Sequence, residues 1–195
     1  MKIADYVIDL VLSGVLIIGA YQFYFWCQRN ARAPRVLRLP IDDFIPYWPS
    51  WVWIYSLLYY PAILCVNLVT DSPRQFNHVA LSYLVLLALQ MLFFLVYPVS
   101  TPETWRTWNT GRNLSERFLA FVQRFDARSN SFPSMHTSVA MLTALFLQPH
   151  FGMLVFAFPV LIGLSCLFTK QHYVIDIPAG AALGWMAHGL FNVLL

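Results

Sequence analysis

Apolar residues run in long blocks along this chain, and polar ones gather between the blocks. Six blocks approach the roughly 20 residues that a membrane-spanning helix needs: Tyr6–Trp26, Trp51–Val69, Val79–Val99, Pro133–Leu147, Met153–Phe168 and Val174–Leu195. The fourth and fifth are short, and Gln148-Pro149-His150-Phe151-Gly152 between them reads as a tight turn that makes them a helical hairpin. The Trp48, Trp51, Trp53, Tyr55 and Tyr59 cluster reads as an interfacial aromatic belt at the start of the second span. The pattern predicts an all-α, integral membrane bundle of six transmembrane helices in a single domain.

Composition agrees with this reading. The 195 residues are 59% hydrophobic and 11% charged, against about 25% charged in a soluble domain. A water-soluble globule of this size could not hide so much apolar surface. A net charge of +3 is too small to indicate a nucleic-acid partner; the expected partner is the lipid bilayer. Cys27, Cys65 and Cys166 form no C-x-x-C pair, so neither a zinc site nor a redox dithiol is indicated. The first apolar run is long for a signal-peptide core and no small-x-small cleavage site follows it, which predicts a retained helix.

Most polar residues fall in two connections. Cys27–Ser50 carries Arg29, Arg32, Arg35, Arg38, Asp42 and Asp43; Ser100–Phe132 carries Arg106, Arg112, Arg117, Arg124 and Arg128 with Glu103, Glu116 and Asp126. Within the second, Leu114, Phe118, Phe121, Val122 and Phe125 recur at helical spacing, which predicts an amphipathic helix on the membrane surface. With six spans, ten of the Lys and Arg residues share one side of the bilayer against Lys2 and Arg74 on the other. The positive-inside rule places those ten in the cytoplasm.

Two stretches on that same side carry chemistry. In Ser131-Phe132-Pro133-Ser134-Met135-His136-Thr137-Ser138, a proline suits the first turn of a helix, so Ser131 is the expected cap, with Ser134 and His136 in the first turn of the fourth span. Free N–H groups there make a phosphate cradle. In Thr169-Lys170-Gln171-His172-Tyr173-Val174-Ile175-Asp176-Ile177-Pro178-Ala179-Gly180, His172 and Asp176 are spaced to share a helical face. Asp176 can then fix the His172 tautomer, and Lys170 adds a positive charge beside it. Two histidines, one backed by a carboxylate and both near cations, suit phosphoryl transfer: one imidazole attacks phosphorus and the other protonates the leaving oxygen. No carboxylate cluster or His-x-x-x-His spacing offers a metal site, so the chemistry calls for no metal and no cofactor. His78, His150 and His188 lack a carboxylate at helical spacing and read as structural, and Asp9 receives no role.

Phe132-Pro133-Ser134-Met135-His136, followed by His172-Tyr173-Val174-Ile175-Asp176, resembles the second and third signature blocks of the type 2 phosphatidic acid phosphatase superfamily. Arg38-Leu39-Pro40-Ile41-Asp42-Asp43 through Ile54-Tyr55, with Lys170-Gln171-His172-Tyr173, looks closest to its inositolphosphotransferase-like branch, which includes the inositol phosphorylceramide synthases. The resemblance implies a six-helix membrane fold and a phosphohistidine intermediate. It implies His172 as nucleophile, Asp176 as its activating partner and His136 as general acid, with Ser134 and neighbouring amides contacting phosphate. The first-block lysine and Arg-Pro pair have no counterpart before His136, so Arg106 or Arg112 stands in. The third-block arginine falls at Cys166, leaving Lys170 as its replacement, while Ser165 is retained.

Three functions follow as expectations. The first is a phosphatase acting on a membrane lipid phosphate. The second is a lipid phosphotransferase passing the phospho-headgroup to an alcohol acceptor such as inositol or a lipid hydroxyl. The third is a channel or transporter without catalysis, against which the clustering of the decisive residues at span ends argues. The resemblance favours an extracytoplasmic site, whereas the charge count favours the cytoplasm; the extracytoplasmic face is the expectation adopted. Nothing in the sequence indicates an oligomeric state.

Overall fold

The computed structural model describes residues 3–126 and 128–194. Lys2 of the charge count and Leu195, the end of the sixth expected span, lie outside the described residues. The chain is all-α, and its only β feature among the described residues is an isolated parallel bridge, Arg35 with Val99.

Four runs among the described residues are long and apolar enough to cross a membrane: Ala4–Asn30, Pro49–Leu68, Pro73–Val96 and Met135–Phe168. These long apolar helices suggest a multi-pass membrane protein. The first is α1 (Ile3–Asn30), which leaves Val7, Val11, Val15 and Ile18 more than half exposed, as on a lipid-facing surface. The second is interrupted. A short α2 (Ile41–Phe44) in the connection precedes a 3-10 turn at Pro49–Trp51, then α3 (Val52–Leu57) and α4 (Tyr59–Leu68). Pro61 explains the break at Leu58: it has no N–H to offer the Leu57 carbonyl, and its ring crowds that group.

The third run is α5 (Pro73–Val96), which starts six residues before the expected Val79. Ser72 caps it by accepting from the Gln75 N–H at 3.2 Å, and Pro73 occupies the first turn. The polar connection that follows holds α6 (Glu103–Arg106) and α7 (Leu114–Phe125). The latter is the expected amphipathic helix; Asn113 accepts from the Glu116 N–H at 2.9 Å, while Leu114, Phe121 and Phe125 remain exposed.

The fourth run folds on itself. It comprises α8 (Met135–Phe151), a 3-10 turn at Gly152–Phe156 and α9 (Ala157–Phe168), and the two helices pack side by side. Gly152 makes the reversal with φ +66°, a conformation that a side chain disfavours. Finally α10 (Asp176–Leu194) packs against α8. Gly180 and Gly184 make this approach possible. A Cβ on either would lie 2.4 Å from the Ser134 carbonyl oxygen and 2.3 Å from that of Ser138, respectively, so this small-xxx-small pair lets the backbones touch.

Three local expectations need correction. The reversal between the two arms lies at Gly152–Phe156 and not at residues 148–152, because α8 continues through Pro149 to Phe151, and α9 starts at Ala157 instead of Met153. Helix α8 starts at Met135, not Pro133, because Ser134 is extended. Ser134, rather than Ser131, is therefore the cap, accepting from the Thr137 N–H at 3.3 Å. Helix α10 likewise starts at Asp176, so His172 lies in the turn before it and not on a shared helical face.

Candidate active site

The start of α8, the end of α9 and the turn leading into α10 converge. The Ser134 N–H donates to the Asp176 carbonyl at 3.1 Å, and the Gln171 N–H donates to the Cys166 carbonyl at 3.0 Å. Buried Gln90 on α5 braces the junction, donating to the Pro133 carbonyl at 2.6 Å and accepting from Ser138 Oγ at 3.1 Å. The junction brings the ring centroids of His136 and His172 to 5.9 Å.

His172 is buried and tightly held. Its Nδ1 lies 2.8 Å from the Ser131 carbonyl and 3.2 Å from Asp176 Oδ2. Both are acceptors, so Nδ1 carries the proton and the lone pair resides on Nε2. Asp176 is fully buried, and its Oδ2 also accepts from the Tyr173 N–H at 2.9 Å. The His172–Asp176 pairing expected from their spacing is therefore formed, although by a turn.

His136 is held differently. Tyr55 of α3 stacks on its ring at 4.3 Å between centroids, and Tyr59 of α4 meets it edge-on at 5.8 Å. The Tyr59 hydroxyl also donates to the His136 backbone carbonyl. The break at Leu58 thus separates two tyrosines that both serve this histidine.

A small cavity opens onto both imidazoles. Asp126, Arg128, Ser129, Asn130, Ser131 and Gln171 contribute most of its polar lining. Ser129 Oγ, Ser131 Oγ and Asn130 Oδ1 are buried without a hydrogen-bond partner among the described residues. Three cations expected at phosphate do not line it. Lys170 donates to the Asp42 carbonyl at 2.8 Å, and its ammonium lies 5.0 and 5.3 Å from the rings of Trp105 and Trp108. Burial pushes its pKa down, against the pull of Asp42 and Asp43. Arg106 is tied to Asp126 Oδ2 at 2.8 Å and to the carbonyls of Gln123 and Asp126. Burial lowers the Arg106 pKa and raises that of Asp126, each partly offset by the other's charge. Arg112 is exposed at the approach to α7, where its N–H donates to Glu116. Ser134 reaches the junction, but its Oγ accepts from both Thr137 N and Thr137 Oγ1.

The sequence reading passed over three residues here. Arg128 is the cation that lines the cavity; in the sequence it is one of five arginines in a polar connection, and only the loop's path singles it out. Tyr55 reads as part of an aromatic belt. Asp42 is a buried latch: its Oδ1 accepts from the Val174 N–H at 2.8 Å, its Oδ2 from the Leu39 N–H at 2.7 Å, and its carbonyl from Lys170. It grips the turn on both sides of His172.

The sequence pattern of the PAP2 superfamily matches residues 48–190, and the chain belongs to that superfamily. Membership suggests a phosphatase-like activity. The match does not separate the branches of the superfamily. No curated protein and no solved structure matches the chain.

Proposed function

We propose that this protein is a membrane enzyme that removes phosphate from a membrane lipid phosphate through a phosphohistidine. The observation that carries the reading is the pair of imidazoles 5.9 Å apart, one with its Nδ1–H held by a carboxylate and a carbonyl. His172 Nε2 attacks phosphorus as the bond to the lipid oxygen breaks, and His136 gives its proton to that oxygen. Asp176 holds the tautomer and balances the charge that develops on the ring. His136 then takes a proton from water, whose oxygen attacks phosphorus; the P–N bond breaks, and His172 regains its lone pair. Arg128 faces the phosphoryl oxygens, with Ser131 and Asn130 as further polar partners. Lys170 and Arg106 act at a distance, through the positions of the loops they hold; Arg112 contributes its backbone N–H to Glu116.

The reading includes six crossings. Support comes from the packed arms α8 and α9, which return to the same end, and from the 19 residues of α10, about 28 Å of helix at 1.5 Å per residue. The site is read as extracytoplasmic. Of the ten opposing charges, Arg38, Arg106 and Arg128 pair with Asp43, Asp126 and Glu103, and Lys170 with a carbonyl, which weakens them as topology signals.

Transfer to an alcohol, as in the inositolphosphotransferase-like branch, is the second reading. It is favoured by the neutral polar lining of Ser129, Asn130 and Gln171 beside one carboxylate, a surface suited to hydroxyl groups. One assay tests both. Purified protein is given phosphatidate, phosphatidylglycerol phosphate, polyprenyl pyrophosphate and phosphatidylinositol, with and without alcohol acceptors. Hydrolysis releases inorganic phosphate and His172→Ala abolishes it; a labelled headgroup on a second alcohol, without free phosphate, establishes transfer. Unchanged turnover in His172→Ala overturns both readings.

A further inference from the structure

One donor atom each from His136, Cys166 and His172 lie within 4.8 Å of one another. Two imidazoles and a thiol form a donor set for a borderline-soft divalent cation. Zinc takes such ligands at about 2.3 Å to sulfur and 2.0–2.1 Å to nitrogen, and three protein ligands leave a fourth tetrahedral position open. Those bond lengths set ligand separations of about 3.3–3.6 Å, so the donors, within 4.8 Å of one another, need close by no more than about 1.5 Å, within the reach of side-chain rotation.

Two features beyond proximity prepare the site. His172 donates its Nδ1–H to the Ser131 carbonyl and to Asp176. This is the outer-shell arrangement that fixes metal-binding imidazoles and leaves Nε2 to coordinate. Cys166 is a free, fully buried thiol aimed into the junction beside Ser134, and it has no part in the phosphoryl chemistry described above.

We propose that His136, Cys166 and His172 form a three-ligand site for a zinc-class divalent cation, and that its occupation switches the enzyme off. The inhibitory half rests on the proposed function: the Nε2 lone pair of His172 cannot bond a metal and attack phosphorus at once. On binding, Cys166 gives up its proton to solvent and coordinates as thiolate. The net single positive charge of the metal–thiolate unit faces the buried Asp176 carboxylate.

Cobalt(II) is the probe, because a cysteine ligand gives it a thiolate charge-transfer absorption. The full-length chain in lipid nanodiscs is expected to bind one equivalent with that absorption and with tetrahedral visible bands, all displaced by zinc. A Cys27→Ser/Cys65→Ser variant keeps the thiolate absorption. Cys166→Ser, or Cys166→Ala should the serine variant not fold, loses it and weakens zinc by at least about tenfold, the cost of losing even an outer-shell partner. Release of phosphate from a lipid phosphate falls in step with zinc occupancy and returns with a chelator. Lack of a thiolate absorption in the unmodified chain overturns the proposal, as does its persistence in the Cys166 variants. So does full turnover at saturating zinc. If cobalt binds through Cys166 but the metal-stripped protein turns over no lipid phosphate, the proposed activity has failed and the metal site stands.

Discussion

The turn between α9 and α10 and the start of α8 each present one imidazole to the same cavity, but they hold it by different physics. The His172 ring is fixed by directional bonds to the Ser131 carbonyl and the Asp176 carboxylate, in a turn gripped on both sides by Asp42. The His136 ring is fixed in plane by Tyr55 stacking and by the edge of Tyr59. A hydrogen bond to a carboxylate sets which nitrogen carries the proton; stacking sets the plane of a ring and does not choose between its nitrogens. The difference suits the two proposed tasks. A nucleophile needs one tautomer and one line of approach, whereas a general acid must gain and lose a proton in every cycle.

The sharpest way to break this contrast is to remove the charge that orders the tighter side. In Asp176→Asn the side chain keeps its shape, but its amide can present a donor to Nδ1 and so favour the wrong tautomer. Loss of an orienting carboxylate from a comparable pair costs about 10⁴-fold in turnover. The expected result is a fall in kcat on the order of 10³–10⁴-fold with the gel-filtration profile unchanged. A loss below tenfold, measured by single-turnover phosphate release, would mean that the Ser131 carbonyl alone orients the ring.

On the looser side, His136→Ala removes the proposed proton donor, a contribution of about 10²–10⁴-fold. That loss should appear with lipid-alcohol leaving groups and shrink toward unity with a nitrophenyl phosphate, whose leaving oxygen needs no proton. Equal losses for both substrates would count against the general-acid role and leave His136 as a packing partner of Tyr55.

The two sides were also unequally legible in the sequence. His136, His172 and Asp176 sit in two short stretches whose residue types single them out, and the structure brings all three together. Their local geometry was less readable: extended backbone at Ser134 put the helix start at Met135, and the His172–Asp176 contact came from a turn where spacing alone suggested a helix. The cations were harder still. Lys170, Arg106, Arg112 and Arg128 look alike in a polar connection, and only tertiary placement sends Lys170 to Asp42 and its tryptophans, Arg106 to Asp126, and Arg128 to the cavity wall. Apolar runs marked the four candidate spans but not the break at Leu58. Nor did they show that Gly180 and Gly184 are contact points; that depends on a neighbouring helix.

Asp42 offers the finest test, because it reaches His172 only through the backbone and lies before the residues matched to the superfamily. Its carboxylate satisfies the N–H groups of Val174 and Leu39 with separate oxygens, 2.8 and 2.7 Å away. Asp42→Asn retains one acceptor and turns an amide N–H₂ toward the other N–H, so one bond becomes a repulsive contact. A hydrogen bond to a charged group contributes about 1.5–3 kcal/mol, and a misplacement of about 1 Å at a reacting centre can cost 10²-fold. Because the turn is also held by Asp176 and by Tyr173, whose hydroxyl donates to the Ser100 carbonyl at 2.8 Å, only part of that displacement should develop. The expected outcome is a drop in kcat of about tenfold with KM changed less than about twofold, since Asp42 does not line the cavity. Asp42→Ala should lose more than Asp42→Asn in both kcat and thermal stability, because both N–H groups are then stranded. A rise in KM with kcat intact would instead place Asp42 in substrate binding, and the latch would no longer account for the stiffness of the His172 side.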